Sequence, residues 1–169
     1  MTMNNQDLTK IVEQLAESLM KNTKLMSVAE SCTGGWVAKV LTDLAGSSDW
    51  FERGFVTYSN RAKHEMLGVA EATLQEFGAV SEETVCEMAV GAILNSHADF
   101  SLSISGIAGP GGGSEDKPVG LVWFAWAEKN NGSAEVMLSE KKIFAGDRDA
   151  VRHQAVIHSL TQLLGLIKT

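Results

Sequence analysis

Ala29-Glu30-Ser31-Cys32-Thr33-Gly34-Gly35 lies between two segments of opposite character. Before it, residues 25–29 form a short apolar run; after it, apolar residues recur at helical spacing through residues 36–44. A strand, a tight turn and a helix start are expected, which is the repeating unit of an α/β fold. The first N–H groups of such a helix have no internal partner, so with the helix dipole the junction is expected to form an anion site. Gly34 and Gly35 let a ligand approach the backbone closely. Ser31 and Cys32 put two nucleophile types in the same turn, where an oxyanion generated by attack would meet amide donors. Serine and threonine before a helix are also ordinary caps, so this turn alone leaves both readings open.

On the N-terminal side, Leu8, Ile11, Val12, Leu15 and Leu19 share one face of a helix expected from about Asp7 to Lys21. The helix after the turn, carrying Val37, Val40, Leu41 and Leu44, is expected to end at Gly46, with a loop through Ser47, Ser48 and Asp49. Gly-Phe-Val-Thr-Tyr-Ser, residues 54–59, reads as a strand, and Asn60 as the cap of a short helix through Met66. That places Tyr58 at a strand end and Lys63 in the first turn of the next helix, on the rim where strand-end loops meet. Residues 71–77 form a further short helix, and Ser81 caps a longer one with Glu82 and Glu83 in its first turn.

Residues 100–104 alternate with serines in a strand-like pattern and run into Ser105-Gly106-Ile107-Ala108-Gly109-Pro110-Gly111-Gly112-Gly113. Such a density of glycine suits backbone that turns sharply or touches a ligand. The spacing matches neither the Gly-x-Gly-x-x-Gly fingerprint nor a P-loop, so dinucleotide and ATP folds lose support. Residues 121–127 are a long apolar strand, and Asn130-Asn131-Gly132 fits a hairpin to residues 135–144, making this edge of the sheet antiparallel. Asp147 caps the last helix, in which Arg148 and Arg152 lie one turn apart. They either hold an anion or are neutralised by Asp147 and Asp149. The expected architecture is a three-layer α/β/α sandwich around a mixed, largely parallel sheet with an antiparallel edge hairpin.

With 169 residues and 44% hydrophobic content, one domain spanning 1–169 is expected. A net charge of −7 disfavours nucleic acid, which needs clustered Lys and Arg. No apolar run reaches membrane-span length, and the polar residues 1–7 do not resemble a signal peptide, so a cytoplasmic protein without a membrane partner is expected. The two cysteines, Cys32 and Cys86, are read as reduced thiols. The four histidines show no i, i+4 pair and there is no CxxC, so a site without metal is expected. No histidine stands beside a candidate serine, which leaves a Ser31–Lys63 pair, with Tyr58 orienting either partner and turn amides near Ser31 or Gly106 holding the oxyanion.

Taken together, Ala29-Glu30-Ser31-Cys32-Thr33-Gly34-Gly35, Gly54-Phe55-Val56-Thr57-Tyr58-Ser59-Asn60 with Lys63, Gly78-Ala79-Val80-Ser81, Ser105-Gly106-Ile107-Ala108-Gly109-Pro110, Lys117-Pro118-Val119-Gly120 and Gly146-Asp147-Arg148 resemble the CinA C-terminal-domain family. The resemblance implies hydrolysis of the carboxamide of nicotinamide mononucleotide (NMN) to nicotinic acid mononucleotide and ammonia, in pyridine-nucleotide recycling, with no metal or cofactor. It assigns the nucleophile to Ser31, the base to Lys63 and a catalytic tyrosine to Tyr58. Thr33, Gly34, Gly35, Ser105, Gly106, Gly109 and Arg148 are the expected substrate-binding residues, and a homodimer is the expected assembly. Where the family has a variable residue in its Gly-Pro-x-Gly-Gly segment, this chain has Gly111. No further domain is expected before the first helix, and on that expectation the chain resembles the independent enzyme of the family. The alternatives are a non-catalytic nucleotide-binding regulatory module of the same fold, and thiol catalysis by Cys32.

Overall fold

Five strands form the middle layer in the order β2-β1-β3-β4-β5 in the computed structural model, which describes residues 5–168. The elements run α1 (Asn5–Lys21), β1 (Met26–Glu30), α2 (Trp36–Thr42), β2 (Phe51–Val56), α3 (Asn60–Leu67), α4 (Glu71–Phe77), α5 (Glu82–Leu94), β3 (Phe100–Gly106), β4 (Leu121–Asn130), β5 (Ser133–Ile143) and α6 (Arg148–Ile167). β1 pairs in parallel with β2 and β3, whereas β3-β4-β5 is antiparallel. The mixed sheet and its edge hairpin agree with the expected architecture. Asn131 and Gly132 supply the two positive φ angles, 49° and 85°, that a two-residue hairpin turn requires.

Alternation along the strands sorts side chains into two cores. Met26, Val28, Leu102, Ile104, Val122, Phe124 and Trp126 face α1, α2 and α6, with Leu15, Leu41, Val156 and Leu160 from those helices. Each large side chain buried in this way is worth about 1.5–3 kcal/mol. On the opposite face Ala125 and Ala127 meet Val85, Ala89 and Ile93 of α5, while Ala29 and Phe55 meet Leu67, Leu74 and Met88.

The serines of β3 do not face water. Ser101 and Ser103 donate to the α5 carbonyls of Ala89 and Val85, and Ser105 to that of Ala79. Small hydroxyl-bearing residues let α5 lie close to the sheet while every buried O–H keeps an acceptor.

Several boundaries differ from those read in the sequence: β3 runs on to Gly106, β4 to Asn130, and β5 spans Ser133–Ile143. β2 begins at Phe51 and ends at Val56, leaving Tyr58 beyond the strand. Ser59, not Asn60, caps α3, its Oγ accepting from the Ala62 amide. α2 stops at Thr42; Gly46, with φ of 83°, precedes a single 3-10 turn at Ser47–Asp49. No helix among the described residues is long and apolar enough to cross a membrane.

Candidate active site

The chain passes from β1 to β2 through α2 on one face of the sheet and from β2 to β3 through α3–α5 on the other. The carboxyl ends of β1 and β3 therefore flank a switch point, where loops diverge and leave a crevice. Ser31 stands at that point. Its amide donates to Ile104 O of β3 (3.0 Å), and Thr57 N donates to Glu30 O (2.8 Å), carrying the β1–β2 ladder one step past Val56. The nucleophile candidate is thus tied to β3 on one side and follows β1 directly.

α3 delivers the partner. Lys63 and Leu67, four residues apart, occupy the buried face of that helix, and Gly68 ends it in the left-handed conformation. Lys63 is only 1% exposed and Ser31 8%. Nζ of Lys63 donates to Ser31 Oγ at 2.9 Å and to the Thr57 carbonyl at 2.8 Å. Burial lowers the ammonium's pKa from 10.5 to about 8, because the charged form loses its hydration; the nearby Cys32 opposes this. A neutral amine keeps one N–H on Thr57 and turns its lone pair to the serine O–H. The arrangement can deprotonate Ser31 near neutral pH.

Cys32 lies next to the pair but is chemically unlike it. Burial pushes its thiol up to about 12, so almost no thiolate forms at neutral pH. That removes the basis for a Cys32 nucleophile.

The anion site expected at the start of α2 is already filled from within. The wholly buried Glu30 carboxylate accepts from the amides of Gly35 (3.0 Å), Val37 (3.1 Å) and Ala38 (2.8 Å). A carboxylate at the end of a buried strand needs such donors, and the helix N-terminus supplies them. Those amides are not free for a substrate. Gly34 and Gly35, with φ of 60° and 99°, make the left-handed turn that brings α2 back over Glu30.

The other expected site residues fall into two groups. Tyr58 is 62% exposed, and its hydroxyl accepts from Arg148 Nη2 at 3.0 Å instead of meeting Ser31 or Lys63. Arg148 Nη1 donates to the Gly109 carbonyl at 2.8 Å, so one guanidinium links the β2–α3 loop, the glycine loop and α6 across the rim. Thr33 is buried, and among the described residues its hydroxyl has no partner, as is also true of Thr57. Ser105 is buried and its hydroxyl is spent on Ala79, which makes it a strut below the crevice. Gly106 closes β3 opposite Val122, where a Cβ would come within 2.7 Å of that side chain.

Two residues absent from the expected set also belong here. In the sequence Glu30 stands out only as the residue before Ser31 in the expected turn. Arg152 donates through Nε to Cys32 O and through Nη2 to Thr33 O, both at 3.1 Å, with its guanidinium 5.2 Å from the Trp36 ring centre. Its spacing from Arg148 put it on this side of α6, but its contact with a turn 120 residues earlier had no local signal. Among the described residues no three His, Cys, Asp or Glu side chains gather as a metal site would require.

The geometry has close counterparts. A competence/damage inducible protein from Agrobacterium tumefaciens superimposes with a TM-score of 0.90 at 42% identity, over 98% of this chain and 99% of that one. In sequence, the nicotinamide-nucleotide amidohydrolase PncC of Escherichia coli (strain K12) is 55% identical over 161 residues, 95% of each chain. The protein of the same description from Enterobacter agglomerans is 51% identical over 162 residues, 96% of each. The model of the CinA C-terminal domain matches residues 8–167. With its crevice, its buried Ser31–Lys63 pair and these relatives, the chain belongs to the CinA C-terminal-domain family.

Proposed function

We propose that the protein is a nicotinamide-nucleotide amidohydrolase, converting NMN and water to nicotinic acid mononucleotide and ammonia. The observation that carries the mechanism is the 2.9 Å contact between Ser31 Oγ and a lysine amine whose pKa is depressed to about 8. Relatives described as amidohydrolases of nicotinamide nucleotides, covering 95% of the chain, support the substrate.

In this reading neutral Lys63 takes the Ser31 proton as Oγ bonds to the carboxamide carbon. The tetrahedral oxyanion is held by amides of the Ser31 turn. Collapse breaks the C–N bond, and Lys63 returns its proton to the leaving nitrogen, which departs as ammonia. Water then adds to the ester carbon while Lys63 accepts its proton; Lys63 passes that proton to Oγ as the C–Oγ bond breaks, which regenerates Ser31 and the neutral amine and frees the acid. The phosphate of NMN falls to Arg148 and the exposed glycines 111–113, because Glu30 occupies the first amides of α2. Thr33, Gly34, Gly35 and Gly109 then act through backbone and shape, and Tyr58 through Arg148, on the rim of the crevice.

The reaction recycles pyridine nucleotide in the cytoplasm, in one domain without metal or cofactor. The assembly proposed is a homodimer, which light scattering of the purified protein tests. The activity is tested by incubating the protein with NMN, NAD and nicotinamide riboside and measuring ammonia and acid product. Release from NMN, at a rate above that from the unphosphorylated riboside, is the expected result. A purified, folded protein that binds NMN and releases no ammonia is instead the non-catalytic module.

A further inference from the structure

We infer that Arg152 is a positioning residue for this reaction: it fixes the peptide planes of the Ser31 turn so that the Thr33 amide is preset as an oxyanion donor. The inference rests on the Ser31 mechanism proposed above.

The guanidinium uses adjacent N–H groups of one edge on two successive carbonyls, Cys32 O and Thr33 O. A planar fork can hold two peptide units at once, which a lysine ammonium at the same place cannot do with fixed geometry. Trp36 lies against the guanidinium face, and His153 against Trp36 with ring centres 5.7 Å apart, so the fork itself is held.

A trans peptide is planar, so the carbonyl of one residue and the N–H of the next point in opposite directions. Drawing Cys32 O toward α6 turns the Thr33 N–H away from α6. α6 and α3 lie on opposite faces of the sheet, and Ser31 Oγ reaches toward Lys63 of α3. Fixing Thr33 O likewise sets the Gly34 N–H, which donates to Ser31 O at 3.1 Å and tightens the turn.

The remaining amides fit this role. Ser31 N is bonded to Ile104 O and Gly35 N to Glu30. Among the described residues neither Cys32 N–H nor Thr33 N–H has a hydrogen-bond acceptor, and of the two only Thr33 N–H belongs to a peptide whose carbonyl Arg152 holds. An uncommitted amide beside a nucleophile, with its plane held from behind, is a donor oriented before the charge develops. Arg148, one helical turn away, reaches Gly109 and Tyr58 instead, so the two arginines do different work.

The test compares Arg152→Ala, Arg152→Lys and Trp36→Leu with wild type, using NMN as substrate. Steady-state kinetics are read alongside calorimetric binding of nicotinic acid mononucleotide, with circular dichroism to normalise for folded protein. A residue that orients a donor without touching substrate loses kcat: about 30–300-fold is expected for Arg152→Ala, with KM and product Kd within about threefold of wild type. Arg152→Lys should recover only part of that loss, Trp36→Leu should show a smaller one, and added ethylguanidinium should raise the Arg152→Ala rate. A kcat per folded molecule within about threefold of wild type for Arg152→Ala overturns the inference. So does a loss carried by KM and Kd together, which would make Arg152 a substrate ligand. Wild type that fails to turn over NMN refutes the proposed function itself; active wild type, inert Ser31→Ala and unimpaired Arg152→Ala refute only the positioning role.

Discussion

Replacing Lys63 by arginine and varying pH probe the same quantity from two sides. With its pKa at about 8, the Lys63 amine is neutral in roughly a tenth of molecules at pH 7. An ordinary lysine at 10.5 would be neutral in about three of every ten thousand, so burial raises the supply of base about 300-fold. The kcat/KM for NMN should therefore rise tenfold per pH unit up to about 8 and level off above it. The substrate's phosphate titrates near pH 6, so the window from about 6.5 to 9.5 isolates the lysine. Arginine keeps its proton throughout, and Lys63→Arg should fall at least about a thousandfold and show no such rise. The assay is chromatographic quantitation of nicotinic acid mononucleotide against an enzyme-free blank at each pH. A profile that stays level from about 6.5 to 9.5 while Ser31 remains essential would refute the lysine-base argument, and so would a Lys63→Arg enzyme retaining more than a few per cent of the rate.

Three further outcomes follow from the same contacts. A lysine pKa depressed on folding costs stability below about pH 8, a cost relieved as pH rises from 8 toward 10.5; wild type should gain about 3 kcal/mol relative to Lys63→Met across that window in urea unfolding. Glu30→Ala strips three amides of their buried acceptor and should lower unfolding stability by about 3 kcal/mol, with a loss of activity from the loosened turn; Glu30→Gln, still able to accept, should lose less. Cys32, held near 12, should react with a disulfide reagent at pH 8 far more slowly than a free thiol while the protein is folded, and at the ordinary rate in denaturant.

Much of the fold was legible because its signals are local. The period of Leu8, Val12, Leu15 and Leu19 marks α1, Asn131-Gly132 marks the hairpin, and Ser81 caps α5 through the Thr84 amide. β2 was placed late because Glu52, Arg53 and Gly54 interrupt its pattern; as an edge strand it tolerates polar residues that a central strand would not. The Ser31–Lys63 meeting was readable because strand ends and cap positions converge on one rim. Its neighbours were harder, since Glu30 reaches five to eight residues forward to cap α2 and Arg152 arrives from the far end of the chain. Side-chain-to-backbone contacts of that kind leave no periodicity behind. The expected anion site at α2 failed for this reason: free amides at a helix start are a resource that the protein's own carboxylate claimed first.

Turnover of NMN by Ser31→Ala, set beside wild type and Cys32→Ala in one ammonia-release experiment, tests the central assignment most directly. The hydroxyl nucleophile predicts Ser31→Ala at least about a thousandfold slower than wild type and Cys32→Ala within about tenfold of it. Ser31→Ala retaining more than about a tenth of the wild-type rate, or Cys32→Ala losing all of it while folded, would contradict the assignment.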